Sequence, residues 1–339
     1  MALSRISRRS RLALPVSHRH GFTLIEALVS LGVIGLLLSL LMAAVQSSRE
    51  RARQTQCLDN LRQLGVACSA FHATHQHFPP TDGSIHGDDR RFHSYSPHAR
   101  MLPYLDQLAL FRTLHLPEDK PLDRHERPRS DRNSEAMSQH VAVFVCPSDD
   151  VPPGGTSYRA CMGIGPALHL RPGVPDWPKS NGSGPFRISR GMRDADIRDG
   201  LSNTVFFSEK LVGDSDTGQY VPWRDHLIVY NADMTSVADA ERICRFASGD
   251  PPDHYSYGGF SWLFGGHAQT WYNHSFPPNS PRPDCGYNAG AFTARSYHVG
   301  GVNSVLGDGS ARFISENMDL AVWRALATRD HGDAVSSEF

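Results

Sequence analysis

The chain has 339 residues, 34 Lys and Arg against 35 Asp and Glu for a formal charge of −1, and 40% hydrophobic residues. That length is ample for a buried core, and the near-balance of charge excludes the basic excess of a nucleic-acid binder. Charged residues at 20% and aromatics at 9% exclude a wholly disordered chain, while six cysteines are too few for a disulfide-built mini-fold.

The first element is a basic leader. Residues 1–21 hold Arg5, Arg8, Arg9, Arg11 and Arg19 and no acid, which leaves 29 basic against 35 acidic side chains in the remainder. An apolar run of 24 residues follows, 22–45, with Glu26 as its single charge. At 1.5 Å per residue such a helix spans the ~30 Å hydrocarbon core of a bilayer. The arginines before it predict a cytoplasmic N-terminus and an outward-facing remainder. A cleaved signal peptide has a shorter apolar core with a small-residue site after it, whereas here the polar break precedes the run, at Gly21–Phe22. Glu26 is costly in lipid unless it finds a partner, so it is a functional candidate. A cut after Gly21 makes the Phe22 amine cationic, and that amine on one subunit can neutralise Glu26 of a neighbour.

No helix breaker follows Val45. Residues 46–53 are polar and basic, and then Cys57, Leu61, Leu64, Cys68 and Phe71 recur at spacings of 4, 3, 4 and 3. That is one apolar face of an amphipathic helix. Pro79 and Pro80 end it. The chain therefore divides into a leader (1–21), a helix (22–77, with 22–45 in the membrane and 46–77 amphipathic) and a head (78–339).

Within the head, 117–133 is charged and proline-bearing and is expected to be a solvated loop. Residues 147–155, 171–185 and 275–286 are rich in Pro, Gly and Ser. Strands are predicted at 141–145, 204–208, 227–230 and 260–264. Near the C-terminus, 302–307 and 310–315 flank Asp308-Gly309, a two-residue type I′ hairpin signal, so both residues are assigned a backbone task. Leu320, Trp323 and Leu326 then mark a short helix with one buried face.

The segment Gly21-Phe22-Thr23-Leu24-Ile25-Glu26 before an apolar helix closely resembles the N-terminus of type IV prepilins and pseudopilins. That resemblance implies cleavage by a prepilin peptidase between Gly21 and Phe22, N-methylation of Phe22 and a role for Glu26 in assembly. A second resemblance covers nearly all the rest. Ser48 to Arg53, Cys57 to Gly65, Leu102 to Gln107, Phe144 to Asp149, Asp199 to Thr204 and His298 to Gly309 are similar to a large bacterial family of prepilin-like proteins. Their head is of unknown function and carries an H-x9-D-G signature, here His298, Asp308 and Gly309. Such proteins often carry a proline near the end of the membrane run, where this chain reads Leu41-Met42-Ala43-Ala44. Local helix melting would then fall to Gly32 and Gly35, a weaker lever. The fold implied is α+β and pilin-like: a long N-terminal helix packed on an antiparallel β-sheet head with long loops.

Six cysteines allow 15 pairings. Outside the cytoplasm, Cys57–Cys146 and Cys244–Cys285 are the candidates to staple helix to head and to tie the later loops, with other pairings open. Cys57 and Cys68 are 11 positions apart on one helix, about 16 Å of rise, too far to bridge. His72, His75 and His77 lack a third ligand at zinc spacing, so no metal site is assigned. Around Asp194, Asp196 and Asp199 the order resembles a calcium loop, but Arg198 intrudes and the twelfth position lacks Glu. An EF-hand is rejected there, and only a looser oxygen-donor site stays open. No nucleophile elbow, Walker loop or dinucleotide fingerprint occurs, so the expectation is a non-enzyme without catalytic residues or cofactor.

The expected role is a single-pass bacterial inner-membrane, pseudopilin-like subunit of a type IV pilus or type II secretion-like filament. Its partners are the prepilin peptidase, other pilin subunits and the membrane, and not nucleic acid. The alternative is a membrane-tethered binding protein whose head captures a ligand such as a glycan, supported by Trp262, Trp271, Tyr272 and Tyr287.

Overall fold

The computed structural model describes residues 23–81, 95–116, 130–165, 182–187, 191–229, 234, 236–246, 253–286 and 290–332. The junction Gly21–Phe22, the leader and Tyr287 lie outside these residues. The chain forms two compact units that divide after Arg49.

The described part of the first unit is one continuous helix. Helix α1 runs Leu24–His75 and so begins in this unit. Every described side chain from Thr23 to Arg49 is exposed, including Leu24, Ile25, Leu28, Leu31 and Leu36. Apolar residues exposed on all sides are what a helix surrounded by hydrocarbon presents. By length and composition it can cross a membrane.

In the second unit α1 buries the face that its spacing predicts: Cys57, Leu61, Leu64, Cys68 and Phe71, with Asn60, Gly65 and Ala67 beside them. It ends at His75, two residues short of the expected boundary. Gln76 takes a positive φ of 62°, which turns the chain out of the helix before the prolines are reached. The other helices are α2 (Pro97–Met101), α3 (Leu108–Thr113), α4 (Ser130–Met137), α5 (Val237–Phe246) and α6 (Leu320–Ala325).

Among the described residues, nine strands lie in chain order: β1 (Tyr158–Cys161), β2 (Val205–Glu209), β3 (His226–Leu227), β4 (His254–Tyr255), β5 (Trp271–Tyr272), β6 (Asp284–Gly286), β7 (Gly290–Ala291), β8 (Gly301–Leu306) and β9 (Ala311–Ser315). They build a five-stranded sheet, β5-β1-β2-β8-β9, and a four-stranded sheet, β4-β3-β6-β7. Antiparallel pairing dominates, but each sheet holds one parallel pair, β1–β5 and β3–β6. The α+β architecture with a helix on a sheet head is therefore as expected, with mixed rather than purely antiparallel sheets.

The larger sheet is covered on both faces. Tyr158, Ala160, Phe206, Phe207 and Val305 join Cys57, Leu61, Leu64, Ala67 and Cys68 of α1 in one core. Cys161, Val205, Val302, Leu306 and Ile314 point the other way, onto Trp323, Leu326 and Ala327 of α6 and its C-terminal turn. Strand alternation sends Val305 to one core and its neighbour Leu306 to the other. A register shift between Val205 and Phe207 lets Phe206 and Phe207 share the α1 face. A third, smaller core gathers Leu227, Ala240, Cys244, Phe276, Cys285 and Ala291 between α5 and the smaller sheet.

Three sequence expectations are corrected. Residues 141–145 are not a strand: Ala142–Phe144 is a 3₁₀ turn, in which threefold spacing turns Val141 and Phe144 inward together. Residues 260–264 form only an isolated bridge, Tyr95 to Phe264, because their other backbone groups bond to scattered partners. Trp262 N–H donates to Gly154 O and Ser261 N–H to the Gln269 side chain, so no ladder can form. The end of the expected loop 117–133 is helix α4, where Asn133 is buried and accepts from His115 N–H at 2.9 Å.

The strand at 204–208 falls one residue later, as β2, and 227–230 contributes only Leu227 to a strand, while Tyr230 lies outside the described residues. The C-terminal hairpin is present as β8–β9, but its turn differs from the type I′ expectation. Leu306 N–H bonds Ser310 O and Gly309 N–H bonds Leu306 O, so three residues form the loop and only Gly309 takes a positive φ, 84°. That is a tight turn followed by a left-handed glycine, a common three-residue hairpin.

Candidate functional site

Two sites carry the sequence signals. The first is the N-terminal boundary of α1. Glu26 Oε2 accepts from Thr23 N–H at 2.9 Å and from Thr23 Oγ1 at 2.7 Å, and Thr23 Oγ1 accepts from Glu26 N–H at 3.3 Å. This is a reciprocal capping box, which satisfies two donors that the helix start leaves open. Thr23-x-x-Glu26 is the sequence signature of such a box, and the charge-based reading of Glu26 overlooked it. Within this unit the carboxylate is occupied by its own helix start.

The second site gathers around His298, the first residue of the H-x9-D-G signature. The turn before β8 places it: Ser296 Oγ accepts from His298 N–H at 3.1 Å and donates to Gly301 O at 2.7 Å. The imidazole is buried, with Nδ1 2.8 Å from Glu50 Oε1 and Nε2 3.3 Å from Glu209 Oε1. Glu50 stands on α1 and also accepts from Arg53 Nε at 2.9 Å and from Ser148 Oγ at 3.3 Å. Glu209 ends β2, buried, where it accepts from Asn303 N–H at 2.7 Å and Asn303 Nδ2 at 3.0 Å. Burial works against charge on His298, but the hydrogen bonds and charges of Glu209 and then Glu50 outweigh it, so its pKa is raised. For Glu50, burial is likewise outweighed by His298 and Arg53, and its pKa is lowered. One imidazole thus ties the helix to β2 and to the turn before β8.

Beside it lies a disulfide. Cys57 of α1 and Cys146 are bonded, with Cα atoms 5.1 Å apart, and Cys146 Sγ is 3.5 Å from His298 Nε2. Cys244 of α5 and Cys285 of β6 form the second disulfide, inside the third core. Cys68 and Cys161 are buried thiols whose pKa values burial raises.

The remaining signature residues reach the same helix. Asp308 Oδ1 accepts from Ser310 N–H at 2.9 Å and Ser310 Oγ at 2.6 Å, which holds the turn. Gly309 meets α1 at Gly65, where an added Cβ would lie 2.9 Å from Gly309 Cα and 2.8 Å from Val305 Cγ2. The signature therefore touches α1 twice, through His298 at Glu50 and through the hairpin tip at Gly65. Sequence reasoning assigned Asp308 and Gly309 a local task, and missed Glu50 and Glu209 as partners of His298, Asn303 as the support of Glu209, and Gly65 as the contact of Gly309. Three of the four sat in stretches quoted for the family resemblance, and that was the available signal.

Other candidates resolve differently. Trp262, Trp271 and Tyr272 are fully buried, and the two indole N–H groups donate to Gln139 O and Thr81 Oγ1. As core residues they offer no face to a glycan. Asp199 accepts from Thr328 Oγ1, His331 N–H and Gly332 N–H, while Asp196 pairs with Arg193 at 3.2 Å. Asp199 thus anchors residues 328–332, and Asp196 closes its own local turn. Phe71 stacks on His75, and His77 Nδ1 bonds Phe78 O at 2.9 Å, so these histidines finish the helix end. A buried network of Lys210, Asp284 and Arg295 joins the two sheets: Asp284 pairs with Lys210 and, at 3.1 Å, with Arg295. Burial opposes charge on Asp284, but the two cations hold its carboxyl well below the usual range.

Comparison with known protein families agrees with this layout. Residues 46–321 match a family described as a protein of unknown function (DUF1559), and residues 16–42 match the prokaryotic N-terminal methylation motif. The first match spans most of the chain, and the protein belongs to that family. No curated protein and no solved structure matches it. The methylation motif covers the junction of basic leader and apolar helix, and marks a type IV pilin-like processed subunit.

Proposed function

We propose that the chain is a pseudopilin-like structural subunit, not an enzyme. A prepilin peptidase cuts it between Gly21 and Phe22 and methylates Phe22, and the mature chain assembles into a type IV pilus or type II secretion-like filament. The observation that carries this reading is the methylation motif at 16–42, lying across a basic leader and a helix that is apolar on every side. In the bacterial inner membrane the arginine-rich leader stays cytoplasmic and the head faces outward. Two disulfides in the head support that orientation, because disulfides persist in oxidising compartments. Assembly gives the exposed apolar face of α1 its protein partners and offers Glu26 the Phe22 amine of a neighbour in place of its own Thr23.

Mass spectrometry of the membrane-extracted protein tests the reading. The expected mature species begins at a methylated Phe22. A chain that retains Met1, or is cut well inside the apolar run, overturns it.

A further inference from the structure

The staple between α1 and the head holds more donors than a disulfide uses. One sulfur from each of Cys57 and Cys146, an imidazole nitrogen of His298 and a carboxylate oxygen of Glu209 all lie within 4.8 Å of one another, and all four residues are buried. They converge from α1, the 145–149 loop, the turn before β8 and the end of β2. The spacing has a specific meaning. Tetrahedral zinc, with bonds of about 2.3 Å to sulfur and 2.0–2.1 Å to nitrogen and oxygen, sets a sulfur and a nitrogen ligand roughly 3.5 Å apart and a nitrogen and an oxygen roughly 3.3 Å apart. Cys146 Sγ to His298 Nε2 is 3.5 Å, and His298 Nε2 to Glu209 Oε1 is 3.3 Å. The two sulfurs, being bonded, are closer than two ligands of one ion.

The surroundings fit a ligand set as well. His298 directs Nδ1 at Glu50 Oε1, 2.8 Å away, which fixes the ring and turns Nε2 inward. A carboxylate on the far nitrogen of a ligating histidine is the usual support of a zinc-bound imidazole. Glu209 is in turn oriented by both Asn303 N–H and Asn303 Nδ2.

We propose that Cys57, Cys146, His298 and Glu209 form a four-ligand site for a borderline divalent cation such as Zn²⁺ when the cysteines are reduced, so that metal and disulfide are alternative closures of one staple. The exchange balances. A disulfide oxidant takes two electrons from the two thiolates and two protons from water and leaves as two thiols; the Cys57–Cys146 bond forms, the cation departs, and Nε2 of His298 regains a proton from water. In reverse, a dithiol reductant opens the bond and becomes a disulfide. The cation then displaces the two cysteine protons and the proton on Nε2. In either state α1 stays tied to the head.

The test uses the full chain in detergent, reduced without oxygen and titrated with Co²⁺ as the spectroscopic probe. The expected result is one Co²⁺ per chain with a thiolate-to-metal charge-transfer band and the visible spectrum of a four-coordinate ion. Zn²⁺ displaces it, and the oxidised chain gives no band. Cys57→Ser and His298→Gln abolish this signature, whereas Cys244→Ser leaves it intact. Glu50→Gln keeps it but weakens affinity by about 10–100-fold, the usual cost of losing such support. A reduced wild-type chain without the band overturns the proposal, as does a band that survives both Cys57→Ser and His298→Gln. Should reduction loosen the fold, Zn²⁺ must restore it; failure to do so also overturns the proposal. Glu209→Gln, which keeps the side chain's shape, serves if His298→Gln does not fold, and an unchanged band in it is equally fatal.

Discussion

The two stretches of α1 are built from one helical repeat and meet their surroundings in opposite ways. Up to Arg49 every described side chain is exposed, although most residues to Val45 are apolar. Beyond Glu50 the same helix buries one face and leaves the other polar. Glu26 in the first stretch is satisfied by its neighbour Thr23 three positions away, whereas Glu50 in the second is satisfied by His298, 248 positions away. The contrast teaches that the first stretch is shaped by its solvent and the second by its partners. A substitution in the first should be silent for the head, and one in the second should not.

The largest break expected is at the staple. Cys57→Ser opens a loop with a sequence separation of 89, and the chain-entropy model puts the loss at about 4.6 kcal/mol. Thermal unfolding of the oxidised protein, followed in the head's aromatic signal, should move down by many degrees. An unchanged midpoint would show that the disulfide does not constrain the head.

Next comes a matched pair of glycines. Gly65→Ala drives a methyl into Val305 and the Gly309 backbone, an overpacking that typically costs about 1–3 kcal/mol. Gly35→Ala on the same helix meets nothing within 4 Å and should leave the midpoint of the head where it was. Equal effects of the two would erase the distinction between the stretches.

The pH profile sharpens the second stretch. His298 has a raised pKa when folded, so its contribution is complete below its unfolded value of about 6.5 and fades as pH climbs through the raised value. Glu50 runs the other way: its pKa is lowered, so its contribution is present above about 4.3 and fades as pH falls through the lowered value. Buried His98, His226 and His274, each held down to about 3 by burial, penalise acid for the head as a whole, so the pair is read by difference: the stability that wild type holds over His298→Gln should be largest in mildly acidic buffer and shrink as pH rises. A difference that does not shrink toward alkaline pH counts against the charged pair.

Smaller still is the cap of α6. Asp319 Oδ1 accepts from Ala321 and Val322 N–H, and Asp319→Ala should cost about 1 kcal/mol in a denaturant titration. The smallest effect on the head belongs to Glu26→Ala, which should not move its midpoint at all. Under the proposed function the same variant should deplete sheared filaments while expression holds; normal filament yield would remove Glu26 from assembly.

How much was legible follows from how local each interaction is. The apolar run, the helix face from Cys57 to Phe71 and the two strands around Asp308-Gly309 were readable because periodicity and turn chemistry depend on residues a few positions apart. Residues 141–145 misled for the complementary reason. Their β-branched composition favours a strand, but the fold needed Val141 and Phe144 on one side, and a 3₁₀ turn supplies that. The metal-ligand pattern around His298 could not be seen, since its donors come from four separate elements and no spacing links them.

The sequence by itself determined the prepilin-like N-terminal motif, the helix and where its character changes, because a bilayer and a helical face each impose a pattern on consecutive residues. Only the tertiary structure shows what His298 and Gly309 touch. Closing β8 onto β2 and packing both on α1 puts Glu50, Glu209 and Gly65 against His298 and Gly309, and long-range packing of that kind leaves no periodic trace in the chain.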